Sequence, residues 1–76
     1  MEFEKLQEII AEAMDISKDK ITLETRFVDD LGADSLDIFQ IVLGIEDEFD
    51  IEIDNEVVEN IVTVQDAVDL IKNVLD

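Results

Sequence analysis

The chain has 76 residues, of which 22 are Asp or Glu and five are Lys or Arg, and it contains neither cysteine nor histidine. Its net charge of −17 disfavours nucleic acid and anionic lipid as partners and favours proteins with basic surfaces. Without Cys and His, disulfides, thiolate or imidazole metal ligands and a Ser-His-Asp triad are excluded. The length fits one small domain, which we expect to occupy residues 1–76.

The hydropathy pattern gives no sign of membrane insertion or export. No apolar run approaches the length of about 20 residues that a membrane-spanning helix needs. The amino terminus lacks the basic and apolar regions of a signal peptide, and the absence of cysteine fits a reducing compartment. We therefore expect a cytoplasmic protein without a membrane span.

A first helix is predicted over residues 2–14, where apolar residues recur at steps of three and four and glutamates fall off that stripe. Residues 15–34 show no helical stripe and predict a long connection. Within it we expect a short turn near Phe27–Leu31, and Gly32 suits a backbone bend before the next helix. Spaced apolar side chains can anchor this connection to the core: Ile16, Ile21, Leu23, Phe27 and Leu31.

A second helix is predicted over residues 35–50, with Ser35 at its start, where a hydroxyl can cap the helix. Its core-facing arc consists of Ile38, Ile41, Val42, Ile45 and Phe49. A polar arc consists of Asp37, Gln40, Gly44, Asp47 and Glu48. A second apolar strip beside the acids consists of Leu36, Phe39 and Leu43. This strip is typical of a docking surface, and the alternative is that it packs under the long connection or the last helix.

The remaining third of the chain predicts a loop and two further helices. Residues 51–54 alternate like a strand, but they lack a partner strand and are interpreted as a loop. A short helix is expected near 56–61, capped by Asp54 or Asn55, with its apolar residues facing inward: Val57, Val58 and Ile61. Thr63–Asp66 resembles a capping box that opens a last helix at about 64–75. Its apolar stripe consists of Val64, Ala67, Val68, Ile71, Val74 and Leu75.

These elements predict an all-α fold. We expect a small four-helix bundle of three longer helices and one short helix, with the long connection between helices one and two.

The acidic residues do not form a calcium loop of the EF-hand type. Asp50, Glu52 and Asp54 match the first three alternating ligands of such a loop. Its sixth position, however, is Asn55 where Gly is required, and its twelfth is Ile61 where Glu is required. We expect no specific metal site, only weak binding of divalent cations to the dense surface carboxylates.

Ser35 allows two interpretations. It is either a plain capping serine or a hydroxyl that carries a covalent group. The start of a helix favours a phosphate there, whereas Asp34 and Asp37 oppose its charge. With no basic residue nearby, Ser35 cannot be a self-activated nucleophile, so another enzyme would have to install the group.

One stretch of the chain carries a family resemblance. Residues 27–37, Phe-Val-Asp-Asp-Leu-Gly-Ala-Asp-Ser-Leu-Asp, resemble the attachment motif of acyl carrier proteins. Ile45–Ile51 resembles the end of the second helix in that family, and Thr63–Ala67 resembles the start of the last helix. The resemblance covers essentially the whole chain in order. It implies that Ser35 carries phosphopantetheine through a phosphodiester, attached from coenzyme A by a carrier-protein synthase.

The resemblance also implies a function. The protein would be a monomeric carrier without catalytic residues that shuttles growing acyl chains, as thioesters, among fatty acid synthesis enzymes with basic patches. The second helix would supply partner-binding residues, with charge from Asp34, Asp37, Glu46 and Asp47 and apolar contact from Leu36, Phe39 and Leu43. We further expect the acyl chain to slip between the helices, near Ile41, Ile45, Val58 and Ile61.

Some positions depart from the family pattern. Gln40 stands where an acid is frequent, which puts one charge contact in doubt, and Phe39 is bulkier than the usual aliphatic residue. Gly44 replaces a usual Ala at a cost of about 0.5–1 kcal/mol in a helix interior. Two other functions remain open: a carrier of a different cargo (polyketide, aminoacyl or D-alanyl), and an unmodified acidic adaptor that binds a basic protein through helix two.

Overall fold

The structure is a computed structural model that describes residues 2–75. In this part of the chain, helices α1, α2, α3 and α4 follow one another, and a 3₁₀ turn at Lys18–Lys20 interrupts the α1–α2 connection. The helices span Glu2–Met14, Ser35–Phe49, Asn55–Glu59 and Val64–Leu75. The predicted all-α bundle of three longer helices and one short helix is therefore confirmed.

The observed helix ends have identifiable causes. α2 ends one residue earlier than predicted because Asp50 adopts a left-handed conformation, with φ 55° and ψ 51°, and its N–H bonds the carbonyl of Glu46. α3 is shorter than the predicted 56–61 because the N–H of Asn60 closes it on the carbonyls of Val57 and Val58. The 3₁₀ turn was not predicted; there the side chain of Ser17 accepts from the N–H of Asp19.

The core lies between α1, α2 and α4. Both α2 and α4 pack against α1. The connection contributes Ile21 and Phe27 to the same core, which confirms part of the predicted anchoring, whereas Leu23 is exposed. The fully buried side chains of the core include Leu6, Ile10, Ile21, Ile45, Val64 and Ile71.

A side chain of α1 also ties down the connection. Nε2 of Gln7 donates to the carbonyl of Ile21 at 2.8 Å and to that of Lys18 at 3.3 Å. The hydroxyl of Thr25, a buried residue, accepts from the N–H of Thr22 at 2.9 Å. These bonds explain how a segment with little regular structure is held on a compact bundle.

Two sequence predictions about side-chain positions are wrong. Val74 and Leu75 were placed on the buried stripe of α4, but they are exposed because the helix extends beyond Ile71, its last buried residue. Gly44 was placed on the polar arc of α2. It instead faces α1, where a Cβ built on Gly44 would lie 2.8 Å from Cγ2 of Ile9. The missing side chain thus allows α1 and α2 to approach closely.

Within residues 2–75, every helix is too short or too polar to cross a lipid bilayer.

Candidate functional site

The segment that precedes α2 is paired with the start of α4. Arg26 and Thr63 form an isolated antiparallel bridge. The N–H of Phe27 donates to the carbonyl of Val62 at 3.0 Å, and the N–H of Val64 donates to the carbonyl of Thr25 at 2.9 Å. This pairing fixes the end of the connection about ten residues before the start of α2.

A tight turn then leads from this pairing into α2. The N–H of Gly32 donates to the carbonyl of Val28 at 3.0 Å, and that of Ala33 donates to the carbonyl of Phe27 at 2.9 Å. Gly32 has φ +67°, a conformation in which glycine is the least strained residue. Ala33 and Phe27 are both buried beneath the turn. The predicted turn near Phe27–Leu31 and the bend at Gly32 are confirmed.

The helix cap at the start of α2 is Asp34, so the interpretation of Ser35 as a plain capping serine is wrong. Asp34 has an extended backbone, and its Oδ1 accepts from the N–H of Asp37 at 2.9 Å. In return, Oδ2 of Asp37 accepts from the N–H of Asp34 at 3.2 Å. The two aspartates form a reciprocal capping box, and the Asp-x-x-Asp spacing in the sequence was the signal that sequence analysis overlooked.

Because Asp34 caps the helix, the side chain of Ser35 has no capping role. Ser35 is the first helical residue of α2, and it is exposed. Its hydroxyl is therefore presented to solvent from a backbone whose position is fixed by the capping box on one side and by the Phe27–Ala33 turn on the other.

Ser35 lies at the edge of a largely apolar groove between α2 and α3, which we call the α2–α3 groove. Its volume is about 500 Å³. The residues that line it are Val28, Ser35, Ile38, Phe39, Val42, Glu46, Ile53, Asn55, Val58, Glu59 and Ile61.

The residues predicted to surround an acyl chain divide into two layers. Val58 and Ile61 line the α2–α3 groove. Ile41 and Ile45 lie deeper and line a small apolar void of about 10 Å³ instead. Ile38, Val42 and Ile61 line both spaces, so the void lies directly behind the floor of the groove.

The second apolar strip of α2 is open to solvent. Leu36 is 64% exposed, Phe39 53% and Leu43 48%. The alternative that this strip packs under the connection or the last helix is therefore wrong. Phe39 also lines the α2–α3 groove, so its ring belongs both to the exposed strip and to the groove.

The predicted partner-binding carboxylates differ in their surroundings. Asp34 and Asp47 are exposed, whereas Asp37 and Glu46 are half-buried. Oε2 of Glu46 accepts from the backbone N–H of Ile53 at 2.8 Å, a contact that sequence analysis did not anticipate. Glu46 thus joins α2 to the loop before α3, in addition to any role in docking.

A second carboxylate holds the chain on the other side of α3. Oδ2 of Asp66 accepts from the N–H groups of Thr63 and Val62, at 3.1 and 3.0 Å. The hydroxyl of Thr63 accepts from the N–H of Asp66, which confirms the predicted capping box of α4. The bonds from Thr63 and then Val62 lower the pKa of the Asp66 carboxyl, because they stabilise its charged form.

Two of the five basic residues are paired with acids. Arg26 lies 3.5 Å from Asp29 and 3.6 Å from Asp30, within its own turn. Lys5 lies 2.9 Å from Glu48, and its hydrogen bond to that carboxylate raises the pKa of the Lys5 ammonium. The start of α2 therefore keeps a strongly negative surface.

In the part of the chain that the structure describes, His, Cys, Asp and Glu side chains form no group of three or more that fits a metal ion. The predicted weak binding of divalent cations stays a prediction about diffuse surface charge.

Comparisons with known proteins identify the family of the chain. The family described as "Phosphopantetheine attachment site" matches residues 4–71. Acyl carrier proteins from three strains of Clostridium perfringens, SM101, ATCC 13124 and 13, are each 48% identical to the chain over 69 residues, which is 91% of this chain and 91% of each relative. Since both similarities extend over nearly its whole length, the chain belongs to the family of acyl carrier proteins, which carry acyl groups on covalently attached phosphopantetheine.

Proposed function

We propose that Ser35 is the residue that carries phosphopantetheine, and that the protein delivers growing acyl chains to the enzymes of fatty acid synthesis. The observation that carries this proposal is the exposed hydroxyl of Ser35 at the edge of the α2–α3 groove. Because Asp34 caps α2, this hydroxyl is not needed as a helix cap. The attached group supplies a terminal thiol that holds the acyl chain as a thioester.

The surroundings of Ser35 fit a phosphodiester. The first turn of α2 directs backbone N–H groups and the positive end of the helix dipole towards it. Asp34 and Asp37 oppose the phosphate charge, but each already accepts a backbone N–H in the capping box. With Arg26 paired within its own turn, the cations that balance the phosphate during transfer have to come from the carrier-protein synthase.

The α2–α3 groove suits an alkyl chain. Most of its lining side chains are aliphatic or aromatic, and water would leave apolar surface when a chain enters. This lining favours a fatty acyl cargo over an aminoacyl or D-alanyl group, whose ammonium would lose its hydration there. A sheltered thioester should hydrolyse more slowly than an exposed one.

The exposed face of α2 suits enzymes with basic patches. Leu36, Phe39 and Leu43 provide apolar area, and Asp34, Asp37, Glu46 and Asp47 surround it with charge. With a net charge of −17, the encounter should be fast at low salt and slower as salt is added. On this proposal the protein works in the cytoplasm as a single monomeric domain, binds no nucleic acid, and leaves all catalysis to its partners.

The test of the attachment residue is an intact mass measurement after incubation with coenzyme A and a carrier-protein synthase. The wild-type protein should gain one phosphopantetheine, and Ser35→Ala should gain none while keeping its helical circular dichroism. Modification of Ser35→Ala, or no modification of the wild type under conditions where a known carrier accepts the group, would overturn the proposal.

A second measurement tests whether the α2–α3 groove protects the thioester from water. The acylated protein is incubated folded and in denaturant, and thioester hydrolysis is followed by mass. We expect slower hydrolysis in the folded protein, and equal rates would show that the groove does not cover the thioester.

A further inference from the structure

The α2–α3 groove has a neighbour on the far side of the loop that precedes α3. This second hollow, the loop depression, has a volume of about 540 Å³ and is lined by Leu43, Glu46, Asp47, Ile51, Glu52, Ile53 and Asp54. It is wide open to solvent and mainly polar. Only two residues line both hollows, Glu46 and Ile53.

Those two residues are joined by the 2.8 Å hydrogen bond from the N–H of Ile53 to Oε2 of Glu46. Both are half-buried, so the bond is partly protected from competing water. A hydrogen bond to a charged acceptor is stronger than one between neutral groups. The two residues that this bond joins therefore form a wall shared by the apolar groove and the polar hollow.

The side chains of Ile51 and Ile53 pack against the core, but the described chain has few other hydrogen bonds in this loop. The N–H of Ile51 donates to the carbonyl of Glu46 at 3.1 Å, at the end of α2. From there to the start of α3, the contact of Ile53 with Glu46 is the bond that returns the chain to α2. The Asp54 side chain makes no capping bond to α3, so it does not replace Glu46 in this role.

We propose that Glu46 is a positioning residue for cargo retention: its carboxylate holds Ile53 against α2 and closes the side of the acyl groove towards the loop depression. The proposal rests on the function proposed above. It gives Glu46 a task inside the molecule that differs from the docking role expected from sequence, and it predicts that losing this bond joins the two hollows and admits water to the bound chain.

The experiment compares Glu46→Ala, Glu46→Gln and Asp47→Ala. Glu46→Ala removes the acceptor, whereas Glu46→Gln removes the charge but keeps an oxygen that can accept from Ile53. Asp47→Ala is the control: it also removes one carboxylate, but the Asp47 side chain lines the loop depression and not the α2–α3 groove. Helical circular dichroism verifies that each variant is folded.

The first measurement is amide hydrogen exchange at Ile53 in the protein without its prosthetic group, so it does not depend on the carrier function. We expect exchange at Ile53 to be faster by about tenfold or more in Glu46→Ala, less accelerated in Glu46→Gln because a weaker neutral bond remains, and within about twofold of wild type in Asp47→Ala. Unchanged exchange in Glu46→Ala, or equally fast exchange in Asp47→Ala, would overturn the proposal.

The second measurement is thioester hydrolysis of the acylated variants. We expect Glu46→Ala to lose a large part of the protection, Glu46→Gln to lose a smaller part, and Asp47→Ala to keep it. A wild-type hydrolysis rate in Glu46→Ala would overturn the proposal, because the carboxylate would then have no effect on protection. An equal loss of protection in Glu46→Gln would also overturn it, because the effect would then depend on the charge of residue 46 and not on its hydrogen bond to Ile53. If the folded wild-type protein does not slow thioester hydrolysis at all, the proposal that the groove shelters the thioester fails. If protection is present in the wild type and persists in Glu46→Ala, only the role proposed for Glu46 fails.

Discussion

The two helices that border the groove differ in almost every respect. α2 has 15 residues, begins with a reciprocal capping box, and buries Ile41, Val42 and Ile45. α3 has five residues, its cap residue Asp54 makes no side-chain bond, and none of its residues is buried. Within residues 2–75, α2 packs closely against α1, whereas α3 makes no extensive contact with another helix.

The comparison shows how one groove can combine a fixed side and a compliant side. α2 carries Ser35, and its position is set by the core. The backbone that flanks α3 is bonded by Glu46 before the helix and by Asp66 after it, and Ile53 and Ile61 pack against the core. Segments with few buried contacts open locally at low free-energy cost. Under the function proposed above, the α3 side can therefore adapt to an acyl chain while Ser35 stays in place.

The largest expected difference between the α2 side and the α3 side is the loss of stability when an apolar side chain is truncated to alanine. Ile45→Ala in α2 should cost about 2–5 kcal/mol of unfolding free energy, because it leaves a cavity in a fully buried site. Val58→Ala in half-buried α3 should cost about 1 kcal/mol or less. Urea denaturation measures both values, and equal losses would contradict the distinction between the two sides.

The helix caps should differ in the same direction. Asp34→Ala removes an acceptor for the N–H of Asp37 and should destabilise the protein by about 0.5–2 kcal/mol. Asp54→Ala removes the same charge but no side-chain capping bond, so its effect should be within about 0.5 kcal/mol of zero. Because the two variants lose equal charge, denaturation at low and high salt separates the cap from the relief of repulsion. A larger loss in Asp54→Ala would reverse the comparison.

The effect of Gly44→Ala on the unfolding free energy should change sign with the residue at position 9. In the wild-type background, Gly44→Ala should destabilise the protein, because its Cβ would meet Cγ2 of Ile9 at 2.8 Å. In an Ile9→Ala background that methyl is gone, and the same change should stabilise α2 by up to about 1 kcal/mol through helix propensity. Unfolding free energies of the four proteins form a double-mutant cycle. Equal effects in both backgrounds would show that Gly44 has no part in fixing α2 on α1.

Sequence periodicity predicted the fixed parts of the molecule well. α1 and α4 have the predicted bounds, since each has an uninterrupted apolar stripe that selects the helix. The turn before α2 was predictable because Gly32 and the spaced apolar residues are local signals. The acyl carrier resemblance rested on the same stretch, and the family match confirms it. Ser35 as the attachment residue stays a prediction that the mass measurement tests.

The features that sequence missed depend on contacts across the fold. The bond between Glu46 and Ile53 joins a helix to a loop seven residues later, and no periodic pattern encodes it. The close approach at Gly44 depends on where α1 crosses α2. The cap was missed for another reason: serine and aspartate are similarly good caps, and adjacent in sequence they leave the boundary uncertain by one residue.

A last, modest effect is expected at the end of α3 that adjoins α4, and it depends on pH. Asp66→Ala removes the acceptor of the Val62 and Thr63 N–H groups and should cost about 1 kcal/mol at pH 7. These bonds lower the pKa of the Asp66 carboxyl in the folded protein below its unfolded value, which is about 3.9. The stabilisation is therefore complete above the unfolded pKa and is lost as the pH falls through the lower folded pKa.

Urea denaturation of wild type and Asp66→Ala from pH 7 downwards should therefore show a constant difference at first, which shrinks below about pH 4. The control is Glu52→Ala, which removes an exposed carboxylate from the loop before α3 and accounts for the general relief of repulsion. A difference that grows on acidification would mean that the neutral form of Asp66 is the stabilising one. Asp66 accepts a hydrogen bond from the N–H of Val62, just after α3. Asp66→Ala should therefore speed amide hydrogen exchange at Val62 more than at Ile45, because the destabilisation is confined to the α3 side of the groove.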